Sequence, residues 1–95
     1  MYQEKLQTIM KEDINSFHFS KNDVLNSELA ISKRKSDLYK AMILGNSAHG
    51  KVKIVFETES GTTIVETTVW CATETDVNLK GGINIPVRSI REVIL

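Results

Sequence analysis

The side chains able to carry chemistry are few and scattered. They are one cysteine, Cys71, two histidines, His18 and His49, and the carboxylates Glu57, Glu59, Glu66, Glu74 and Asp76. A Cys–His pair can assemble a nucleophile from residues far apart in sequence. Cys71, however, lies inside a threonine- and valine-rich run, which predicts a small buried thiol. One cysteine and two histidines do not supply a zinc-ligand pattern, and the histidines flank predicted loops, where they face solvent. Paired carboxylates can share acid and base roles in hydrolysis. Here they fall on outward strand positions and in turns, which predicts a solvated acidic face. Gly81-Gly82 lacks both the Lys-Ser/Thr sequel and the following helix of a phosphate loop, so it reads as a hairpin turn. The expectation is a protein without catalytic residues, metal or cofactor.

Binding chemistry is better represented. Lys33, Arg34, Lys35, Lys40, Lys51 and Lys53 make a basic block whose only acid is Asp37. The acidic run from Glu57 to Asp76 follows it directly, so the chain is electrically dipolar although its formal net charge is zero. The block reads either as a solubility pattern drawn towards the acidic strands, or as a docking site for a phosphate backbone or an acidic partner. No aromatic residue is interleaved with its lysines, so base stacking lacks a platform. Trp70 is the remaining candidate. It is expected beneath the N-terminal helices, the other reading being an exposed binding anchor.

These residues must be positioned by a single small domain. The chain has 95 residues, 41% hydrophobic and 25% charged, close to the averages for soluble globular proteins. Its longest apolar run, Ala41–Leu44, is far shorter than the ~20 residues of a membrane helix. The charged first residues do not suit a signal peptide, and a lone cysteine does not suit a disulfide-built secreted domain. Cytoplasmic location is the expectation.

The composition changes near Gly45. Before it, Tyr2, Leu6, Ile9, Met10, Ile14 and Phe17 recur at helical spacing. Ser20 and Asp23 match a capping pattern. Leu38, Ala41 and Met42 share the face of a helix expected to end at Leu44, closed by Gly45-Asn46. No strand is expected in the first 40 residues. After Gly50, period-two alternation predicts strands near 51–57, 62–72, 77–80, 83–88 and 92–94. The long threonine-rich strand has apolar residues on both faces, as a strongly bent strand serving two sides of a barrel would. The fold class expected is α+β: residues 1–45 form a helical extension packed on a five-stranded antiparallel barrel over 50–95.

Gly50-Lys51-Val52-Lys53-Ile54-Val55-Phe56 with Gly61, then Asp76-Val77-Asn78-Leu79, then Leu79-Lys80-Gly81-Gly82-Ile83 resemble the small β-barrels of the SH3-like and Sm-like kind. Sm-like proteins carry a glycine-flanked first strand and a hydrophobic-basic-glycine segment between their fourth and fifth strands. Here that segment falls between the third and fourth, a departure that tells against RNA binding by the Sm mode. As a whole the chain resembles small bacterial proteins of unassigned function, a likeness that implies no activity. The leading functional expectation is a non-catalytic interaction module that binds a protein partner. The alternative is a nucleic-acid-binding protein (RNA or single-stranded DNA) using the basic block. Lys33, Arg34, Lys35, Lys40, Lys51, Lys53 and Trp70 are the candidate contact residues. Excess apolar surface on the first helix (Leu6, Ile9, Met10, Phe17) predicts a two-fold homodimer through that helix, the other reading being that the two N-terminal helices close on each other within a monomer.

Overall fold

Valine, isoleucine and threonine, whose branched side chains suit a pleated surface, dominate the chain after Gly50 and set its strands. In the computed structural model, which describes residues 7–95, Val52–Thr58 and Gly61–Thr67 pair antiparallel around a tight turn, with Val52 opposite Thr67 and Thr58 opposite Gly61. Taking Gln7–Ile9 as β1, these two are β2 and β3. They are followed by β4 (Val69–Ala72), β5 (Asp76–Leu79), β6 (Ile83–Pro86) and β7 (Ile90–Ile94). The strands form two sheets, of order β1-β3-β2-β7 and β4-β5-β6. The expected long strand over 62–72 is therefore two strands joined at Thr68, each in a different sheet. The expected closed five-stranded barrel is replaced by this pair of sheets. After β6 the chain enters a short 3-10 turn, Val87–Ser89, before β7 pairs with β2. Pro86 contributes no N–H to a ladder, so the chain leaves the second sheet there. The hairpin between β5 and β6 does turn on Gly81 and Gly82, whose φ values of 93° and 82° suit residues without Cβ.

The N-terminal part departs most from expectation. Gln7–Ile9 is not helical but a strand, added parallel to β3 with Ile9 opposite Val65, so a strand does occur in the first 40 residues. A 3-10 turn follows over Lys11–Ser16, from which only Ile14 is buried. Asp13, Asn15 and Ser16 compete for backbone hydrogen bonds and favour turns over helix interiors, and the free edge of β3 offers β1 partners that a helix would not use. Ile9 and Phe17 pack partly buried against the core rather than on an outer stripe, while Met10 is exposed. Tyr2 and Leu6 lie outside the described residues. The expected dimer helix is thus absent over residues 7–17.

One helix, α1, spans Glu28–Ala48. Its N-cap is Ser27, whose Oγ accepts from the Ala30 N–H (3.3 Å). Ser20 and Asp23, expected to cap, instead hold local turns by accepting from the Asn22 and Leu25 N–H groups (3.2 and 2.8 Å). Its C-terminus is closed by His49 in the left-handed region, φ 54°, not by Gly45-Asn46. Gly45 lies inside the helix and is buried. A Cβ there would run into the Val69 carbonyl oxygen, so Gly45 is the point where helix and β4 backbones touch.

Arg34, Leu38, Ala41 and Gly45 form the buried stripe of α1. Leu38 and Ala41 join Val52, Ile54, Phe56, Val65, Val69, Leu79, Ile85 and Ile90 in one core, drawn from both halves of the chain. Phe17 and Phe19 close it against Phe56, with ring centroids 6.5 and 6.2 Å away. The segment carrying them is held by polar contacts: Arg88 Nε donates to the Ser20 carbonyl (2.6 Å), and the Val24 N–H to the Arg88 carbonyl (2.9 Å). Arg34 completes the anchorage. Its guanidinium donates to both Asp23 carboxylate oxygens (2.8 and 2.6 Å) and to the Ile90 carbonyl (3.0 Å).

Two outcomes follow. Gly45→Ala should destabilise the fold by about 1–3 kcal/mol in denaturant titration, because the added methyl must displace β4 backbone. Asp23→Asn should cost about 3 kcal/mol at neutral pH, since it leaves the buried guanidinium uncompensated. Chiefly through the Arg34 hydrogen bond, the Asp23 carboxyl is held below its ordinary value of 3.8. A depressed carboxyl stabilises the fold above that value and loses its contribution as pH falls towards the lower folded value. The stability gap between wild type and Asp23→Asn should therefore narrow on acidification below about pH 4. A gap that stays constant down to pH 2 would show that ionised Asp23 is not the stabilising species.

Candidate functional site

Consecutive helix residues diverge by about 100°, and that alone disperses the basic block. Lys33, Arg34 and Lys35 point in three directions from α1. Arg34 is buried and its guanidinium is held by Asp23 and Ile90, so it adds nothing to an exposed basic surface. Lys33 lies 2.6 Å from Asp37 one turn on, a hydrogen bond that raises its pKa. Lys35 reaches Glu74 in the turn between β4 and β5 (3.0 Å), which realises the attraction between helix and acidic strands. Lys53 sits on β2 opposite Glu66. Lys40 and Lys51 are exposed and make no ion pair among the described residues. The block is not one surface.

The carboxylates separate as well. Glu57 pairs with Arg91 across β2 and β7, Glu74 with Lys35, and Asp76 accepts from the Thr75 hydroxyl (2.9 Å). Glu59 and Glu66 are exposed, as are His18 and His49. Among the described residues, no group of three or more His, Cys, Asp or Glu side chains could hold a metal ion, and no helix is long and apolar enough to cross a membrane.

Trp70 and Cys71 are where the structure overturns the sequence reading most usefully. In β4, Val69 pairs with Leu79 and Cys71 with Asn78, leaving Trp70 as an extra residue in a bulge. A bulge shifts the alternation of side chains by one. Val69 stays in the core, while Trp70 and Cys71 both emerge, Trp70 with 43% of its surface exposed. The helix does not cover Trp70; it supports the backbone. Asn46 Nδ2 donates to the Trp70 carbonyl (3.3 Å), an acceptor that the irregular ladder leaves available. Cys71, expected buried, is an exposed free thiol.

Beside this strand, between α1 and the β4–β5 turn, lies a groove of about 430 Å³. Leu38, Ile31, Ala72 and Val87 make its apolar floor, while Tyr39, Thr73 and the Lys35–Glu74 bridge form its exposed rim. Trp70 lies two residues along β4 from Ala72. The sequence reading missed this groove because its floor comes from three segments (α1, β4 and the 3-10 turn before β7) that no spacing rule connects. Tyr39 was the one available signal, an aromatic residue off the buried stripe of the helix. Searches for similarity found no match among protein-family models, curated proteins or solved structures.

Native Cys71 should react with an aromatic disulfide reagent at neutral pH within a few-fold of its rate in denaturant, because exposure governs access to the thiol. Protection of a hundredfold or more would restore a buried Cys71.

Proposed function

We propose that this protein is a non-catalytic interaction module that binds a protein partner in the groove between α1 and β4, with Trp70 as its aromatic anchor. The observation that carries this reading is the bulge at Trp70. It turns a large aromatic residue outwards, with its backbone fixed by a helix side chain, two residues along β4 from Ala72 in the floor of an apolar groove. Binding hot spots favour tryptophan, tyrosine and arginine beside such hollows, and Tyr39 stands on the groove rim. A groove of this size with apolar floor and polar rim suits one or two aliphatic side chains of an extended or helical segment. The strand succession β2 to β7, bent at Thr68 and with a 3-10 turn before the last strand, supports our reading of the β-region as an opened relative of the SH3-like barrels. The nucleic-acid alternative loses support because Arg34 is buried and Lys33, Lys35 and Lys53 stand beside carboxylates.

Selection of a random peptide-display library on the folded protein tests the proposal. Trp70 is the only tryptophan, so its emission reports binding directly. Selected peptides should shift that emission to shorter wavelength, and Trp70→Ala and Ala72→Arg should each weaken them tenfold or more. Failure to enrich any peptide, or peptides indifferent to both substitutions, would refute the site. Micromolar binding of single-stranded RNA that falls steeply with salt would favour the nucleic-acid reading instead.

A further inference from the structure

Arg34 has hydrogen-bond donors to spare. A guanidinium carries five N–H groups in one plane. Asp23 takes two of them end-on, one from Nη1 and one from Nη2, at 2.8 and 2.6 Å. The second Nη1–H goes to the Ile90 carbonyl (3.0 Å). What is left is Nε–H and the other Nη2–H, which the planar group sets side by side along one edge, pointing the same way. Among the described residues neither has an acceptor. Nor is that edge sealed. The Ser89 hydroxyl is the one side-chain polar atom among the described residues that is both fully enclosed and unpaired, so Arg34 Nε keeps some accessible surface although the residue is only 5% exposed. Arg34 is part of the wall of the groove between α1 and the β4–β5 turn, which is the route to that edge. Two parallel donors on one cation match the two oxygens of a carboxylate, and donors of a buried cation are costly to leave unmatched.

We propose that the groove receives the C-terminal residue of a partner protein, its α-carboxylate paired with the free edge of Arg34 and its aliphatic side chain on the floor of Ile31, Leu38, Ala72 and Val87. This rests on the reading of the groove as the partner site and names the segment that it takes. Charge complementarity carries it further. Asp23 already neutralises Arg34, so another carboxylate needs a second cation, and Lys35 stands in the groove lining to supply it. The Lys35 side chain is 74% exposed and pairs at 3.0 Å with Glu74, itself 80% exposed. Exposed bridges of this kind are weak, so Lys35 turns from Glu74 to a ligand carboxylate at little cost. A chain end suits the groove better than an internal acidic residue. The α-carboxylate and the terminal side chain leave the same Cα, so one residue presents an anion and an apolar group together. An internal Asp or Glu would lay a peptide group on each side of it over an apolar floor, where those groups find few partners.

Display libraries presenting peptides with free C-termini or with free N-termini, each selected on the folded full chain, test this. The first library should enrich sequences ending in Leu, Ile or Val. Made with a fluorescent label at the N-terminus, the enriched peptides should bind at least tenfold more weakly as C-terminal amides than as free acids, read by anisotropy. Glu74→Gln, which frees Lys35, should tighten the free acid threefold or more, and Lys35→Ala should weaken it by a similar factor. The amide should respond to neither, and both exposed substitutions should leave the circular dichroism unchanged. In nitrogen-15 spectra the Arg34 Nε–H resonance should move downfield with the free acid and stay in place with the amide. Peptides that bind equally as acid and amide, yet are lost with Ala72→Arg, would keep the groove as the partner site and overturn the terminal-carboxylate proposal. Acid-dependent binding that leaves the Arg34 Nε–H resonance in place would overturn it too. Enrichment from neither library would remove the groove reading and this proposal together.

Discussion

The fold depends on one buried cation. Arg34 joins the segment before α1, the helix itself and the start of the last strand. Its guanidinium has left water, which costs several kcal/mol unless its donors are matched. The fork shape matches the two Asp23 oxygens, and the second Nη1–H finds the Ile90 carbonyl, so three of the five guanidinium donors are engaged. That geometry fixes three things at once: the rotation of α1, the path of residues 17–27 over the core, and the place where β7 begins. Lysine, a point charge without the fork, would satisfy one of these partners at a time.

Once α1 is fixed in rotation, its contact with β4 has little freedom. Gly45 brings the helix backbone against Val69, and Asn46 holds the next carbonyl along. A strand pinned at this point and bent at Thr68 cannot keep simple alternation through to Ala72. The bulge absorbs the mismatch, and the residue it displaces is the tryptophan. The aromatic exposure that suggests a binding role thus follows from a packing constraint on the opposite side of the strand.

The same rotation decides what α1 offers to solvent. A helix with one apolar stripe is finished once that stripe is buried. This helix also carries Leu29, Tyr39 and Ile43 away from that stripe, and the fold leaves them exposed. Tyr39 stands at the rim of the groove between α1 and the β4–β5 turn. The charged residues between them are already engaged with neighbours. Lys33–Asp37 and Lys35–Glu74 set two of the helix's lysines beside carboxylates.

The sequence by itself determined the local elements. Branched residues at period two set β2, β3, β5 and β6, Gly81-Gly82 set their hairpin, and the apolar spacing of Leu38 and Ala41 set the inner face of α1. It also showed apolar residues on both faces of the Thr62–Ala72 run, read as one bent strand on two sides of a barrel where the structure has two strands in two sheets. The tertiary structure decided the rest. Residues 7–16 have helical spacing, yet the free edge of β3 gives Gln7–Ile9 strand partners that no local pattern reveals. Gly45 looks like a helix terminator until β4 is seen to lie against it. The basic block looks like one surface in sequence and becomes several on a helix, because neighbouring residues there point apart. Trp70 and Cys71 are exposed by one inserted residue, and a register shift of one is invisible to any reading of alternation that lacks the partner strand.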